Sequence, residues 1–338
     1  MSYIVAVVGA TGMVGRKMLQ VLAEFEFPIK QLIPFASARS AGSKIIYKGQ
    51  EVTVEELTET CMVGRDIDIA LLSAGGSTSQ KFAPLFAAAG AAVVDNSSCW
   101  RMDKNVPLVV PEVNAADLDW HNGIIANPNC STIQAVVALQ PLHEAFGLKR
   151  VIYSTYQAVS GAGVAGFADL ENGAKGLPPQ KFAHPIYANL IPQIDVFLDS
   201  GYTKEEQKMI DETRKIMGLP ELAATATCVR VPVFHGHSES INCEFERPVT
   251  VAAAREALEK APGIVVVDDI AAGLYPMPIH AEDHNETYVG RIRIDESAAN
   301  GLAFWCVSDN IRKGAATNTV QIALELIKRG QVHGAIDN

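Results

Sequence analysis

The chain has 338 residues, of which 48% are hydrophobic, and a formal net charge of −10. This length and composition allow a large core and predict two domains, while the negative charge argues against nucleic acid or an anionic membrane as a partner. The six cysteines form no C-x-x-C pair, the N-terminal residues lack the basic segment of a signal peptide, and no apolar run could span a bilayer. We therefore expect a cytoplasmic protein with reduced thiols, without a membrane segment.

Apolar strands alternate with helical segments in the first part of the chain. Strands are predicted over residues 3–8, 30–36, 67–73 and 91–95. An amphipathic helix is expected to end near Glu24, and a helix rich in Ala and Phe is expected after residue 77. Because strands alternating with helices form a parallel sheet covered on both faces, we predict an α/β, Rossmann-type doubly wound domain over residues 1–128.

A glycine motif follows the first predicted strand, in the run Gly9-Ala10-Thr11-Gly12-Met13-Val14-Gly15. Its pattern is G-x-x-G-x-x-G, and a strand before it and a helix after it suit a tight turn against a pyrophosphate. We interpret the run as a cofactor site, and the alternative is a glycine-rich turn without a ligand. The same predicted site includes four residues at or just after the ends of later predicted strands: Ser73, Ala74, Gly75 and Asn96.

The loop after the second predicted strand bears on the identity of the cofactor. It reads Ala36-Ser37-Ala38-Arg39-Ser40, without the Asp or Glu that usually binds the ribose 2′-hydroxyl of NAD. Arg39 can pair with a 2′-phosphate, and Ser37 and Ser40 can donate hydrogen bonds to it. We therefore predict NADP, and the alternative is a solvated basic loop.

Cys130 follows an Asn-Pro-Asn turn and stands at the start of a predicted helix. The N-terminus of a helix carries partial positive charge and unpaired N–H groups, and both favour a thiolate over a thiol. The position is therefore suited to a nucleophile, although a buried structural cysteine is the commoner case.

The pattern beyond this helix predicts an α+β domain over residues 129–309 with a mainly antiparallel sheet. Strands are predicted over residues 150–159, 228–234, 240–245, 264–267, 289–294 and 302–307, and helices over 203–217 and 249–260. The strands at 228–234 and 240–245 are expected to pair with each other. Residues 310–328 are predicted as one helix that packs on the first domain, so that the C-terminal helix 310–338 completes it.

Several polar residues of the second domain are only weak evidence for a functional site when each is considered alone. His235 and His237 would share one face of a strand, but without a further Cys or His nearby we predict no metal site. A cysteine nucleophile needs an acid/base partner, and histidine is the usual one. Glu205 and Lys208 share a face of their predicted helix, which by itself indicates only a solvated ion pair.

Taken in order, these segments resemble the aspartate-semialdehyde dehydrogenase family. The segments that carry the resemblance are Gly9–Gly15, Ala36–Ser40, Asn96–Ser98 with Arg101, Asn129-Cys130, Tyr156–Gly161, Glu205 with Lys208, and Arg230 with His237. The 27-residue step from Cys130 to Gln157 and the seven-residue step from Arg230 to His237 make the ordered set specific.

The resemblance implies a role for each of these positions. Cys130 is expected to be the nucleophile, His237 the acid/base catalyst and Gln157 the residue that orients the substrate. The residues implied in substrate binding are Arg230 for the α-carboxylate, Glu205 for the α-ammonium, Arg101 and Lys208 for phosphate, and Asn129. Ser160, Gly161 and Asn310 are implied in binding NADP. His235 is the alternative base, and the spacing from Arg230 favours His237.

The implied reaction is the NADPH-dependent reduction of aspartyl phosphate to aspartate semialdehyde, catalysed by a homodimer that pairs through the second sheet. One alternative is N-acetylglutamyl-phosphate reductase, but Glu205 argues against it because an acetylated amine is uncharged. Another is a glyceraldehyde-phosphate enzyme, which lacks the spacing from Arg230 to His237. A non-catalytic NADP-binding homologue is the third, and the presence of both Cys130 and His237 argues against it.

Overall fold

The computed structural model describes residues 1–332, which divide into two compact units. One unit contains Met1–Pro128 together with the C-terminal segment that begins at Ala315. The other unit contains Asn129–Gly314. Within the described residues, each unit is built around one six-stranded sheet, and a separate two-stranded hairpin lies in the first unit.

The described elements follow one another along the chain from the first unit to the second and back. Those of the first unit up to residue 128 are β1 Tyr3–Val8, α1 Met13–Glu24, β2 Ile29–Ala36, β3 Lys44–Tyr47, β4 Gln50–Thr53, β5 Glu55–Glu56, β6 Ile69–Leu72, α2 Gly76–Ala88, β7 Ala92–Asp95, α3 Pro111–Asn114 and β8 Ile124–Ala126. Those of the second unit are α4 Cys130–Phe146, β9 Leu148–Gln157, α5 Gly163–Gly173, α6 Lys204–Ile216, β10 Ala223–Arg230, β11 His237–Phe245, α7 Val251–Lys260, β12 Ile264–Val266, α8 Pro278–Ala281, β13 Thr287–Asp295 and β14 Gly301–Ser308. The last helix, α9 Asn318–Lys328, belongs to the first unit.

The sheet of the first unit is parallel throughout, in the order β5-β2-β1-β6-β7-β8. Successive residues of a strand point to opposite faces, and β1 supplies apolar side chains to both. Val5 and Val7 belong to the core that contains α1 and α9, whereas Ala6 and Val8 belong to the core that contains α2. The predicted doubly wound fold is confirmed.

The hairpin formed by β3 and β4 was not predicted. Lys48 and Gly49 connect the two strands, and both have positive φ, +47° and +79°. Two residues with positive φ make a turn whose twist suits a two-residue hairpin. Glycine adopts this conformation readily and lysine does not, so the Lys48-Gly49 pair was only a weak indication of a hairpin turn.

The sheet of the second unit is mixed, in the order β10-β9-β11-β14-β13-β12. The three central pairings are antiparallel, and the two outer pairings are parallel. The apolar core of this unit joins the sheet to α4, α6 and α7 through side chains such as Leu139, Met209 and Leu258. The predicted α+β class with a mainly antiparallel sheet is confirmed.

The predicted pairing of strands 228–234 and 240–245 is wrong. The first strand, β10, ends at Arg230, and β9 lies between it and β11 in the sheet. Pro232 has no N–H to donate to a ladder, and Gly236 has a φ of +83°, so residues 231–236 form a loop. His235 therefore lies outside the strand that begins at His237.

The predicted helix 310–328 begins later than expected. The carboxylate of Asp309 accepts hydrogen bonds from the N–H groups of Ile311 and Arg312, at 2.8 and 3.0 Å. Asp309 thus caps the N-terminus of the helical segment that follows it. Arg312–Thr317 is a π-helical segment that precedes α9. Residues 333–338 of the predicted C-terminal helix lie outside the described part of the chain. Along residues 1–332, no helix is both long and apolar enough to cross a membrane.

Candidate active site

The glycine motif of the first unit forms a tight connection between β1 and α1. Gly9 has a φ of +84°, and a Cβ on Gly15 would lie 2.2 Å from the carbonyl oxygen of Gly9. Any side chain at either position would therefore clash with or strain the backbone. Gly12 is the N-cap of α1, which receives no side-chain cap from residues 1–332. The start of the helix is thus available to an anionic group.

The other residues predicted to bind the cofactor follow the carboxyl ends of adjacent strands. Ser37, Arg39 and Ser40 follow β2, and Arg39 is exposed in a turn closed by a 2.8 Å hydrogen bond from Ser40 N–H to the Ser37 carbonyl. The residues after the other two strands are Ser73, Ala74 and Gly75 after β6, and Asn96 after β7. Since β2, β1, β6 and β7 are parallel neighbours, these residues lie at one edge of the sheet, where open α/β sheets bind their ligands.

Arg101 is a buried arginine of the first unit. Its Nε donates to the carbonyl oxygen of Asn127 at 2.9 Å, and Nη2 donates to that of Asn96 at 3.0 Å. Asn127 also donates from Nδ2 to Oδ1 of Asn96 at 2.8 Å. These contacts fix the guanidinium beside the loop that follows β7.

In the second unit, Cys130 is the first residue of α4, and Asn129 is its N-cap. The predicted helix start is therefore confirmed. The cysteine is half-buried, and its Sγ lies 3.8 Å from Oδ1 of Asn129. Gly314 packs against it so closely that a Cβ on this glycine would lie 2.8 Å from the Cβ of Cys130.

The other five cysteines share an environment that disfavours the thiolate. Burial raises the pKa of each of these thiols: Cys61, Cys99, Cys228, Cys243 and Cys306. A thiol with a raised pKa is a poor nucleophile near neutral pH. Cys130 is set apart from these cysteines by its position at the start of a helix.

A buried carboxylate, Glu205, lies in the first turn of α6. Its Oε1 accepts hydrogen bonds from Nδ2 of Asn129 at 2.9 Å and from Nε2 of Gln157 at 3.0 Å. Its Oε2 is paired with Nζ of Lys208 at 3.1 Å, and Lys208 also contacts Asp195 at 3.1 Å. The structure thus brings together four residues from the predicted site: Asn129, Gln157, Glu205 and Lys208.

The hydrogen bonds and the cation decide the ionisation of Glu205. Burial alone would raise the pKa of this carboxyl group. The Lys208 charge and the hydrogen bonds from Gln157 and Asn129 together outweigh burial, so the pKa is lowered. Glu205 is therefore a buried anion at neutral pH.

Arg230 and His237 face one another across the loop that follows β9. Arg230 ends β10, and its Nη1 donates to the carbonyl oxygen of Ala158 at 2.6 Å. The backbone N–H of Ala158 donates to Nδ1 of His237 at 3.0 Å. A Cβ on Gly161 would lie 2.9 Å from Nη1 of Arg230 and 3.3 Å from Nε2 of His237, so both groups border the space beside this glycine.

Both side chains keep a buried polar atom unsatisfied. Nε of Arg230 and Nε2 of His237 have no hydrogen-bond partner among residues 1–332. Burial and the nearby Arg230 charge lower the pKa of His237 well below its usual value, so the ring is neutral at pH 7. Buried polar atoms without partners are unfavourable, so Nε of Arg230 and Nε2 of His237 are each available to a polar group of a ligand.

His235 has a different environment from His237. Its Nε2 lies 3.7 Å from a carboxylate oxygen of Glu282, and its ring centroid is 5.4 Å from that of Phe167. His235 is partly exposed, whereas His237 is fully buried beside Arg230. Over the described chain, no group of three or more His, Cys, Asp or Glu residues could hold a metal ion.

Ser160 and Asn310 are buried partners in the second unit. Nδ2 of Asn310 lies 3.1 Å from Oγ of Ser160, and Oδ1 of Asn310 accepts from Gly236 N–H at 3.0 Å. Asn310 therefore ties the loop before His237 to the segment after β9. Its predicted contact with a cofactor stays a prediction.

Two buried glutamates near these residues were not found from the sequence. Glu212 accepts the Asn129 N–H at 2.6 Å, and Glu239 accepts Nε2 of Gln134 at 2.9 Å. Glu212 lies seven residues after Glu205, on the same face of α6. This spacing could have indicated that the two glutamates lie on the same side of the helix. Glu239 follows His237 by two residues on β11, but its burial depends on α4 packing over the sheet.

Replacing Glu239 with glutamine should stabilise the protein, increasingly so as the pH rises. Burial raises the pKa of Glu239 well above its usual value, so folding must retain a proton that the unfolded chain loses. The carboxyl therefore lowers stability progressively as the pH rises above the unfolded-state pKa of about 4.3. Glutamine cannot ionise, and its amide can donate to Oε1 of Gln134, which lacks a partner within the described chain.

We expect Glu239→Gln to raise the free energy of unfolding at pH 8 by about 1–3 kcal/mol, the usual penalty for a buried unsatisfied group. The difference from wild type should shrink between pH 8 and pH 5, as measured by thermal unfolding. Glu244→Gln, on the same strand at a partly exposed ion pair with Lys149, is the control and should change stability by less than about 0.5 kcal/mol. A Glu239→Gln variant less stable than wild type at pH 8 contradicts the argument.

The chain matches two family models that together span most of its length. Residues 4–121 match the semialdehyde dehydrogenase, NAD binding domain, and residues 139–313 match the semialdehyde dehydrogenase, dimerisation domain. The first match assigns a nicotinamide cofactor to the unit that carries the glycine motif.

Similar proteins of known family match over nearly the full length. Aspartate-semialdehyde dehydrogenase of Aquifex aeolicus is 55% identical, over 98% of this chain and 100% of the relative. The crystal structure of aspartate semialdehyde dehydrogenase II from Vibrio cholerae complexed with ASA has a TM-score of 0.93 and 44% identity, over 97% of this chain and 99% of the other. The structure from Candida albicans with NADP has a TM-score of 0.78 and 27% identity, over 98% and 99%. The chain therefore belongs to the aspartate-semialdehyde dehydrogenase family of oxidoreductases.

Proposed function

We propose that this protein is an NADP-dependent aspartate-semialdehyde dehydrogenase that reduces L-aspartyl 4-phosphate to L-aspartate 4-semialdehyde through a Cys130 thioester. The observation that carries the proposal is the pair of unsatisfied buried donors, Nε of Arg230 and Nε2 of His237, in the unit that also contains Cys130 and the Glu205 anion. A ligand with a carboxylate, a reactive carbonyl and an ammonium group matches this set of charges. We place the reaction in the biosynthesis of lysine, threonine, methionine and isoleucine.

In this proposal Arg230 and Glu205 hold the two charged groups of the amino acid. Nη1 of Arg230 is anchored on Ala158, which leaves Nε and its side of the planar guanidinium for the α-carboxylate. A carboxylate offers about four acceptor positions, and Asn129, Gln157 and Lys208 fill three on Glu205. The remaining position suits the α-ammonium, and Gln157 orients the substrate from the same cluster.

Cys130 is the nucleophile of the proposed reaction. Its sulfur attacks the acyl carbon, the bond to phosphate breaks, and a thioester forms. A bound nicotinamide cofactor supplies the hydride that reduces this thioester. The semialdehyde then leaves, and the thiolate is regenerated. Lys208, which pairs with Glu205 at 3.1 Å, is assigned to the phosphate of the substrate.

Rates with three aldehydes test the proposed substrate. Aspartate semialdehyde, N-acetylglutamate semialdehyde and glyceraldehyde 3-phosphate are each supplied with phosphate and NADP⁺, and NADPH formation is followed. We expect turnover with aspartate semialdehyde to exceed the other two by at least about 10³-fold in kcat/KM, because an unpaired buried charge rejects analogues strongly. Comparable rates with N-acetylglutamate semialdehyde would show that Glu205 does not bind the α-ammonium group of the substrate.

The cofactor is proposed to be NADP, bound by the first unit. The open start of α1 suits the pyrophosphate, and no side chain beyond hydrogen fits at Gly15 without meeting Gly9. Arg39, Ser37 and Ser40 form the turn after β2, where a 2′-phosphate would be recognised. The NADP bound to the Candida albicans relative agrees with this assignment.

Arg39→Ala should weaken NADP binding much more than NAD binding. Hydrogen bonds to a charged group contribute about 1.5–3 kcal/mol, so we expect the Kd for NADP to rise about 10–100-fold. The Kd for NAD should change less than about threefold, since NAD has no 2′-phosphate. Fluorescence titration measures both. Lys30→Ala, an exposed cation at the other end of β2, is the control, and equal losses for both cofactors would contradict the assignment.

We also propose that the protein is a homodimer that pairs through the second unit, the region that matches the dimerisation domain. Large apolar side chains remain exposed there, including Ile270 at 75% and Ile279 at 72%. Exposed apolar patches of this kind mark interaction surfaces. Sedimentation equilibrium should give twice the chain mass of 36.2 kDa, and a monomer at micromolar concentration would contradict the proposal.

A further inference from the structure

We propose that Phe182 is a positioning residue for Arg230, and that the buried carboxylate of Asp169 holds Phe182 in place by ordering the loop of residues 174–203. This inference rests on the proposed function and adds a determinant of specificity for the α-carboxylate of the substrate. Phe182 acts through the guanidinium of Arg230 and not on the reacting atoms.

The loop of residues 174–203 connects α5 to α6, and none of the helices and strands of the described chain lies within it. Loops of more than about 15 residues without regular structure are uncommon in compact domains and are often functional. One fixed point of this loop is Ile191. Its N–H donates to the carbonyl oxygen of Arg230 at 3.0 Å, and its carbonyl oxygen accepts the Arg230 N–H at 2.8 Å. The loop is therefore tied to the backbone of the residue that carries the guanidinium.

The other fixed point is the carboxylate of Asp169, a buried residue of α5. Its Oδ1 accepts the N–H of Gln180 at 2.8 Å, and its Oδ2 accepts those of Lys181 and Phe182 at 2.8 and 2.9 Å. Burial alone would raise the pKa of Asp169, but the three N–H groups together outweigh burial, so the pKa is lowered. Asp169 is thus an anion that orders three successive residues of the loop.

The side chain of Phe182 connects the turn at Asp169 to Arg230. The guanidinium carbon of Arg230 lies over the ring of Phe182, 5.9 Å from its centroid. A Cβ on Gly166 would lie 3.1 Å from Cζ of Phe182, so the far end of the ring lies close to α5. The ring is half-buried and packs against a small apolar cluster, which contains Val159, Leu170, Ile186 and Ile191.

The ring restricts the orientation of the Arg230 guanidinium. Nη1 is fixed by the carbonyl oxygen of Ala158, and Nε has no hydrogen-bond partner among residues 1–332. An aromatic face attracts a guanidinium, and the attraction is stronger where water is excluded, as it is around the buried Arg230. With Nη1 bound and one side against Phe182, the guanidinium is held in the orientation in which a carboxylate can bind it. Binding then costs less side-chain freedom.

Phe182→Leu keeps an apolar side chain but removes the aromatic face. We expect the KM for aspartate semialdehyde to rise about 3–30-fold, the range of a cation–π contact, with kcat within about threefold of wild type. Phe197→Leu, at an exposed phenylalanine of the same loop, is the control and should leave KM within about twofold. An unchanged KM in Phe182→Leu would overturn the proposal.

A double-mutant cycle with Arg230→Ala separates positioning of the guanidinium from general support of the loop. Because Phe182 is proposed to act through Arg230, Phe182→Leu should lower kcat/KM by less than about twofold in the Arg230→Ala protein. Equal losses in both backgrounds would show that the ring only packs the loop, which overturns the inference. Failure of the proposed function has a different result: the wild-type protein would not oxidise aspartate semialdehyde, or Arg230→Ala would leave kcat/KM unchanged.

Asp169→Asn tests the order of the loop without turnover. Asparagine keeps one acceptor oxygen but turns an amide N–H toward the backbone N–H groups, so amide hydrogens of Gln180–Phe182 should exchange at least about tenfold faster. The same variant should raise KM about as much as Phe182→Leu. Asp295→Asn, at a partly exposed aspartate that accepts the Ser297 N–H at 3.0 Å, is the control and should change neither quantity. Faster exchange with an unchanged KM, or unchanged exchange, would contradict the role of Asp169.

Discussion

Cys130→Ala should lower the phosphate-dependent oxidation of aspartate semialdehyde by at least about 10⁴-fold, the scale seen when a nucleophile is removed from its catalytic unit. Alanine cannot form the thioester, and no other cysteine can replace it, because burial raises the pKa of the other five thiols. NADP binding should remain within about threefold of wild type, since the glycine motif belongs to a different unit. Stopped-flow rates and a binding titration measure the two effects.

Cys99→Ala is the matched control for this substitution. Cys99 is a partly exposed cysteine in the first unit. Its replacement should leave turnover within about twofold of wild type, as expected for a substitution outside the site. Phosphate-dependent turnover retained by Cys130→Ala would exclude the thioester route.

Arg230→Lys should raise the KM for aspartate semialdehyde by about 10²–10³-fold, which corresponds to the usual loss of several kcal/mol when a buried charge partner is changed. Lysine keeps the positive charge but has no planar fork for a carboxylate. It also loses the bond from Nη1 to the Ala158 carbonyl, which at 2.6 Å fixes the guanidinium. The effect should appear mainly in KM, because the group binds the substrate away from the reacting carbon.

Arg247→Lys is the control for this change of charge geometry. Arg247 lies in the same unit, is exposed, and donates from Nε to a backbone carbonyl, that of Ala145, at 3.1 Å. The control should leave KM within about twofold of wild type. A KM for Arg230→Lys within threefold of wild type, with the fold intact by circular dichroism, would show that Arg230 does not bind the α-carboxylate.

The main elements of both units could be predicted from local patterns. The strands of the first unit are continuous apolar runs, which is the pattern expected for strands of a parallel sheet that is buried on both faces. The helix at Lys204–Ile216 was predictable because Thr203 and Glu206 form a capping box, with reciprocal hydrogen bonds of 3.3 and 2.7 Å. Such signals involve residues close in sequence.

The errors arose where distant segments compete for the same partner. The two strands at 228–234 and 240–245 are consecutive in sequence, and neighbours of this kind often pair. β9 precedes both and is inserted between them, with Tyr153 opposite both Ala226 and Ile241. The sequence pattern of neither strand indicates with which other strand it will pair.

The sequence by itself determined the fold class, the position of Cys130 at a helix start, and the family, because these depend on residue type and local order. The tertiary structure decided which ionisation state and which hydrogen-bond role each polar residue has. Glu205 is an anion because Asn129, Gln157 and Lys208 surround it, and His237 is neutral because it is buried beside the charge of Arg230. Burial and partners far apart in sequence set the charge of a buried group, and these exist only once the chain has folded.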